Sequence, residues 1–321
     1  MKELDLLKVI NSTLTNSEFI GDDCAYLEDL NIFITQDTLV ENIHFKLSTT
    51  TPYFLGRKSV AVNLSDIAAS MSKAKYITIS LSLPNKIDTD FVQEFYRGVN
   101  DISNEFGVKV VGGDITGSKS LVISVAAIGQ KDSKFISSRS NAKKDDVIIT
   151  TGNYGASYAG LFALENISEC PESLIQAHIN PTPRLNESAE IKQAIKSDIA
   201  VMDTSDGLFD ALFKIAEASK HNIEIDLEKI PVLESTIDFC MRSNIDIKDA
   251  ALFGGEDYEL IACVPETTLN LLGKDMFKII GKVKEKSNSP KISVKNDSEH
   301  KILDKEALET KTFNHFKEGN N

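Results

Sequence analysis

In the stretch IAVMDTSDGLFDALFKIAEASK, residues 199–220, the apolar run Ile199–Met202 gives way to helical periodicity, with apolar residues from Leu208 onward recurring every three to four positions. The joint between the two patterns is Asp203-Thr204-Ser205-Asp206-Gly207. A hydroxyl or carboxylate at a helix start commonly accepts a hydrogen bond from an otherwise unpaired backbone N–H. One such group suffices for a cap, so capping accounts for one or two of these side chains and leaves at least one carboxylate for other chemistry.

The same alternation extends along the chain. NIFIT (31–35), YITISLSL (76–83), VKVVGG (108–113), LVISVAAIG (121–129), DVIITTG (146–152), IEIDL (223–227) and ELIACVP (259–265) are β-branched runs that predict strands. Between them, 51–73, 90–107 and 205–220 carry helical spacing, with Gly107 as a helix stop. At 321 residues the chain is long enough for about two domains of roughly 150 residues. The polar, Ser-rich segment 130–146 sets the expected division at 1–136 and 137–321. The charged tail from Lys282 still contains KISV, KIL and Phe313 with Phe316, which predicts that most of it is ordered.

A net charge of -13 argues against wrapping nucleic acid, which needs clustered Lys and Arg. Cys24, Cys170, Cys240 and Cys263 lack the spacing of a zinc site and read as small apolar residues. The first residues, MKELDLLKVINSTL, interrupt their apolar pattern with acids and do not read as a signal peptide. The longest uncharged apolar run, LVISVAAIG, is far short of a membrane span. A cytoplasmic protein with no membrane partner is expected.

Several acids follow apolar runs: Asp22 and Asp23 in FIGDD, Asp37 in IFITQD, Asp66 in VAVNLSD, Asp114 in VKVVGGD, and Asp203 with Asp206. Residues at strand ends and helix starts line the binding crevice of α/β folds, so these acids could converge. Like charges about 4 Å apart repel by about 4 kcal/mol at an effective dielectric near 20. Divalent cations relieve that repulsion, and an all-oxygen ligand set favours Mg²⁺, which binds through carboxylates and substrate phosphates. Neither a G-x-x-x-x-G-K-[ST] loop nor a G-x-G-x-x-G turn is present, so a bound nucleotide would depend on metals and scattered backbone N–H groups.

In chain order, GDDCA (21–25), QDTLVENIHF (36–45), AVNLSDIAA (61–69), GGDIT (112–116), MDTSDGL (202–208) and GGEDYEL (254–260) together resemble the thiamine-monophosphate kinase family over nearly the whole chain. The resemblance implies an α/β (α+β), two-domain fold like that of aminoimidazole-ribonucleotide synthetase. In that fold an N-terminal α/β domain binds ATP and Mg²⁺ and dimerises, and a C-terminal α/β domain with a mixed sheet completes the substrate cleft. It further implies ATP-dependent conversion of thiamine monophosphate to thiamine diphosphate, the last step of thiamine diphosphate biosynthesis. The transfer would be direct, in-line and Mg²⁺-assisted, with no side chain acting as nucleophile or base.

Carried onto this sequence by motif, the family's metal positions fall on Asp23, Thr35, Gln36, Asp37, Asp66, Asp114, Asp203 and Asp206. Its ATP positions fall on Asp23, Gly113, Asp114, Arg139 and Ser205, and its substrate positions on His44, Glu256 and Phe313. There are three departures. Gln36 stands where relatives usually have Ser or Thr, Gly117-Ser118 follows GGDIT where relatives often have a basic residue, and Phe313 replaces a Trp or Tyr. Two rival readings are a haloacid-dehalogenase-type phosphatase, suggested by ITQDTLV, and another enzyme of the same fold, such as selenophosphate or aminoimidazole-ribonucleotide synthetase. A non-catalytic sensor of nucleotide or thiamine phosphate is a third.

Overall fold

The computed structural model describes residues 3–15, 17, 19–166, 169–273, 275–296, 300–303, 307, 310 and 311. The chain forms two compact units, one built from residues through Ile67 with Ser72–Asp132, the other from Ala68–Met71 with the described residues from Ser133 to Lys311.

The N-terminal unit runs α1 (Glu3–Thr13), β1 (Ala25–Leu27), β2 (Ile32–Val40), α2 (Pro52–Ala69), β3 (Lys73–Leu83), α3 (Thr89–Phe106), β4 (Lys109–Gly117) and β5 (Val122–Gln130). Its strands make one mixed sheet in the order β1-β2-β5-β3-β4, antiparallel except for the β3–β4 pair. Strand alternation is plain in β5, where Ile123, Val125 and Ala127 are buried and their neighbours are partly open. The apolar face lies against helices: Phe91, Val92 and Phe95 of α3 line one small gap with Leu81, Leu121 and Ile123. The two helices also approach closely, because a Cβ on Gly56 would collide with the Phe95 carbonyl and one on Gly98 with the Tyr53 carbonyl. Asp88 caps α3 by accepting a hydrogen bond from the Phe91 N–H, and Gly107 ends it in the left-handed region at φ 67°, as its position predicts.

The C-terminal unit contains β6 (Val147–Thr150), α4 (Ala156–Asn166), α5 (Glu172–Ile179), α6 (Leu185–Ala194), β7 (Ala200–Asp203), α7 (Leu208–Ser219), β8 (His221–Asp226), α8 (Glu234–Arg242), α9 (Ile247–Phe253), β9 (Leu260–Val264), β10 (Lys278–Lys286), β11 (Ile292–Lys295) and β12 (His300–Leu303). Its seven-stranded mixed sheet has the order β12-β11-β8-β10-β6-β9-β7. Every residue of β6, β7 and β9 is buried, because both sheet faces are covered there. One face packs Ile148, Met202 and Ile261 against Phe209, Leu212 and Phe213 of α7; the other packs Ile149, Val201 and Ala262 against Ile191 and Ala194 of α6.

All seven expected strands and all three expected helices form. The strand β10, KIIGKVKEK, was not expected, since six of its nine residues are charged or glycine; it is paired on both edges while Lys278, Ile279 and its last three residues stay exposed. Of the four cysteines, Cys24, Cys240 and Cys263 are buried, Cys170 is half-buried, and all are free thiols. Among the described residues, no helix is long and apolar enough to cross a membrane.

Candidate functional site

The joint after β7 is not a capping device. Gly207 stands at the N-cap of α7 with φ 105° and makes no side-chain cap, and a Cβ there would press on the Leu252 carbonyl. The surrounding acids are therefore committed elsewhere. Asp203 is the last residue of β7 and is 1% exposed. Thr204 ties the joint to β9: its N–H donates to the Glu259 carbonyl (2.9 Å) and its Oγ1 accepts the Glu259 N–H (3.0 Å). Ser205 offers its carbonyl to the Glu256 N–H at 2.7 Å. Asp206 lies 3.1 Å from Lys214 Nζ, which also sits 2.6 Å from Asp210, one helical turn earlier. Burial pushes the Asp210 carboxyl up to about 6 against the pull of Lys214. Burial works against the Lys214 ammonium too, yet the charges of Asp206 and Asp210 carry its pKa above the usual lysine range. Arg139, on a short 3-10 turn (Arg139–Asn141) against α7, adds positive charge felt at Asp210.

The loop before β9 is the second part of this region. Gly255, Glu256 and Tyr258 have φ of 71°, 56° and 51°, a left-handed conformation that is costly for Glu and Tyr and persists only where surroundings enforce it. Those surroundings are polar and buried. Asp257 accepts the N–H groups of Gly155 (2.9 Å) and Ser157 (3.2 Å) at the start of α4, and burial pushes its carboxyl up to about 7. Glu259, 3% exposed, receives Arg184 Nε (2.6 Å) and Nη2 (2.5 Å) together with the Thr151 hydroxyl (2.6 Å). Glu256 itself keeps 27% of its side chain exposed, with Oε2 3.3 Å from His178 Nδ1.

In the N-terminal unit the expected metal positions cluster around β2 and α2. Thr35 is buried and donates to Asp66 Oδ2 at 2.5 Å. Carboxylate oxygens of Asp23 and Asp66 lie within 4.8 Å of one another, and the Cys24 thiol donates to the Asp66 carbonyl at 3.4 Å. The Asp37 N–H donates to Asn63 of α2 at 3.0 Å. Asp37, Asp66 and Asp114 sit inside β2, α2 and β4 rather than at strand ends or helix starts, so the expected placement holds in the elements only for Asp203 and Asp206. Gln36 faces the opposite side of the sheet from Thr35, and its amide donates to Ser124 on β5 at 3.0 Å. Gly113 and Asp114 are exposed on β4; a Cβ on Gly113 would collide with the Ile79 backbone, so this glycine allows β4 to close on β3. His44 follows β2 and accepts the Val40 N–H on Nδ1 at 3.0 Å, which leaves the ring proton on Nε2 in the neutral form. Phe313 lies outside the described residues.

The all-oxygen donors of the first unit, the close carboxylates of Asp23 and Asp66, suit a hard divalent cation. Arg184, His178, Asp257, Glu259 and Lys214 were not among the expected site residues. Their roles depend on partners up to 108 positions away, as in the Thr151 hydroxyl to Glu259, which a single sequence does not display.

Comparison with known proteins agrees with this architecture. The models of the AIR synthase related protein family match both parts of the chain, its N-terminal domain over residues 21–130 and its C-terminal domain over 143–292. A thiamine-monophosphate kinase of Bacillus subtilis is 34% identical over 99% of this chain and all of its own length, and one of Aquifex aeolicus is 34% identical over 98% of each. A solved structure described as AaThiL complexed with AMPPCP and TMP superposes with a TM-score of 0.86, at 32% identity, covering 98% of this chain and 97% of that one. The chain belongs to the thiamine-monophosphate kinase family.

Proposed function

We propose that this protein transfers the γ-phosphoryl group of ATP to thiamine monophosphate, giving thiamine diphosphate and ADP in the last step of thiamine diphosphate biosynthesis. The observation that carries the reading is the Asp23–Asp66 pair with its Thr35 hydrogen bond, in a chain of this family. Two like charges so close are stable together when a cation joins them.

Asp23, Asp37, Asp66 and Asp114 of the first unit, with Asp203 and Asp206 of the second, are the proposed Mg²⁺ ligands. Gln36 contributes through its backbone, because its side chain is turned to the other sheet face. Bound there, Mg²⁺ supplies positive charge opposite the phosphate oxygens of both substrates. Gly113, Arg139 and Ser205 contact ATP, while His44 and Glu256 contact thiamine monophosphate. Neutral His44 presents Nε2–H as a donor, and Glu256 presents a carboxylate to the positively charged vitamin portion. The acceptor phosphate oxygen is already anionic, so no side chain has to remove a proton and the transfer is in-line and direct.

A cytoplasmic homodimer is part of this reading. The sheet edge β4 is exposed at all nine positions, Val111 and Ile115 being 57% and 65% exposed. An open apolar edge of that length is a pairing surface for a second copy. The test of function is incubation with ATP and Mg²⁺ and either thiamine monophosphate or thiamine. Thiamine diphosphate formed from the monophosphate, and no phosphorylation of thiamine, is expected; ADP release with no thiamine diphosphate would refute the proposal.

A further inference from the structure

His178, in the last turn of α5, is almost fully buried, at 5% exposure. Its Nδ1 lies 3.2 Å from Ser157 Oγ and 3.3 Å from Glu256 Oε2. A carboxylate oxygen only accepts hydrogen bonds, so the contact is attractive when Nδ1 carries the ring proton, which then lies between Ser157 Oγ and Glu256 Oε2. The ring has little room to turn. A Cβ on Gly160 of α4 would collide with the Leu174 carbonyl and lie 3.3 Å from His178 Cβ, which shows how closely α4 and α5 pack.

The first turn of α4 thus grips the strained loop twice. Its Ser157 N–H holds Asp257, and its Ser157 hydroxyl holds the histidine that faces Glu256. The Glu256 backbone is fixed from the other side by its hydrogen bond to Ser205. The direction of the Glu256 carboxylate is then a matter of its side-chain contacts, His178 among them. A neutral imidazole can set that direction and leave the negative charge intact, whereas a lysine or arginine at the same place would cancel it.

We propose that His178 is a positioning residue for substrate recognition: it aims the Glu256 carboxylate at the cationic organic portion of the phosphate-acceptor substrate, with Ser157 holding the ring. The inference rests on the reading of Glu256 as a substrate contact. Steady-state kinetics of His178→Leu, His178→Asn, Glu256→Gln and the Leu/Gln double variant test it. An asparagine amide N–H reaches the place of Nδ1, and a glutamine amide does not.

Loss of one hydrogen bond to a charged group raises KM for thiamine monophosphate about tenfold in His178→Leu, with the ATP constant moving less than about twofold. His178→Asn recovers to within about threefold of wild type, and in the Glu256→Gln background His178→Leu adds less than about twofold, as expected for coupled residues. If His178→Leu does not fold, His178→Asn against His178→Gln carries the same test, and equal constants for those two variants would overturn the proposal. An unchanged thiamine monophosphate KM in His178→Leu, beside a raised one in Glu256→Gln, overturns the proposal alone. Full additivity in the double variant does the same. An unchanged constant in Glu256→Gln overturns the substrate reading of Glu256, and the inference with it.

Discussion

The acids of the two units are held in opposite ways. In the N-terminal unit, Asp66 shares its carboxylate with the Thr35 hydroxyl beside Asp23, and Asp114 stands exposed on an edge strand. In the C-terminal unit the acids are answered within the fold: Glu259 by Arg184, Asp206 and Asp210 by Lys214, Asp257 by two backbone N–H groups and a raised pKa. The contrast separates two uses of a carboxylate. Those of the first unit are the proposed ligands of a cation, whereas most of those in the second hold the loop that carries Glu256.

The largest expected effect of breaking this contrast is on stability. Arg184→Ala leaves Glu259 buried without its bidentate partner, and chemical denaturation should show a loss of about 3–5 kcal/mol. A loss under 1 kcal/mol would mean that water enters and replaces the guanidinium. In the N-terminal unit, Gly98→Ala forces a methyl group against the Tyr53 carbonyl and should cost about 1–3 kcal/mol by the same measurement.

Asp257 gives a smaller effect with a definite sign. Its folded-state pKa of about 7 lies above the ordinary 3.8, so the folded state binds the extra proton between those values. The contribution is fully present below about pH 4 and is lost as pH rises through about 7, at up to about 1.4 kcal/mol per pH unit. Asp257→Asn should flatten the pH dependence of unfolding free energy between pH 4 and 7; an unchanged slope would reject the buried-acid assignment. The smallest effect belongs to Arg97→Ala, which removes the exposed Arg97–Glu94 pair on α3 and should leave the unfolding midpoint where it was.

Much of this was legible in the sequence. Apolar β-branched runs gave seven of the twelve described strands, and Gly107 marked its helix end, because burial and backbone conformation leave local traces. β10 left a weaker trace, since charged residues on its exposed positions mask the period. The motif acids were visible as types and spacings, but not their division between ligands and loop supports. Asp257 stands beside Glu256 in GGEDYEL with no local sign of burial, and only the fold shows it enclosed against α4. Arg184 and His178 lie in the unremarkable stretch HINPTPR, and their value comes from Glu259 and Glu256, which are 75 and 78 positions further along.

The central claim, that the N-terminal acids are cation ligands while the C-terminal network shapes a binding loop, is tested most directly by the Mg²⁺ dependence of thiamine diphosphate formation in Asp66→Asn. With one carboxylate removed from the Asp23–Asp66 pair, half-maximal Mg²⁺ should rise at least about tenfold, by analogy with the loss of a charged contact. An Asp66→Asn protein that forms thiamine diphosphate with the wild-type Mg²⁺ dependence would contradict the account.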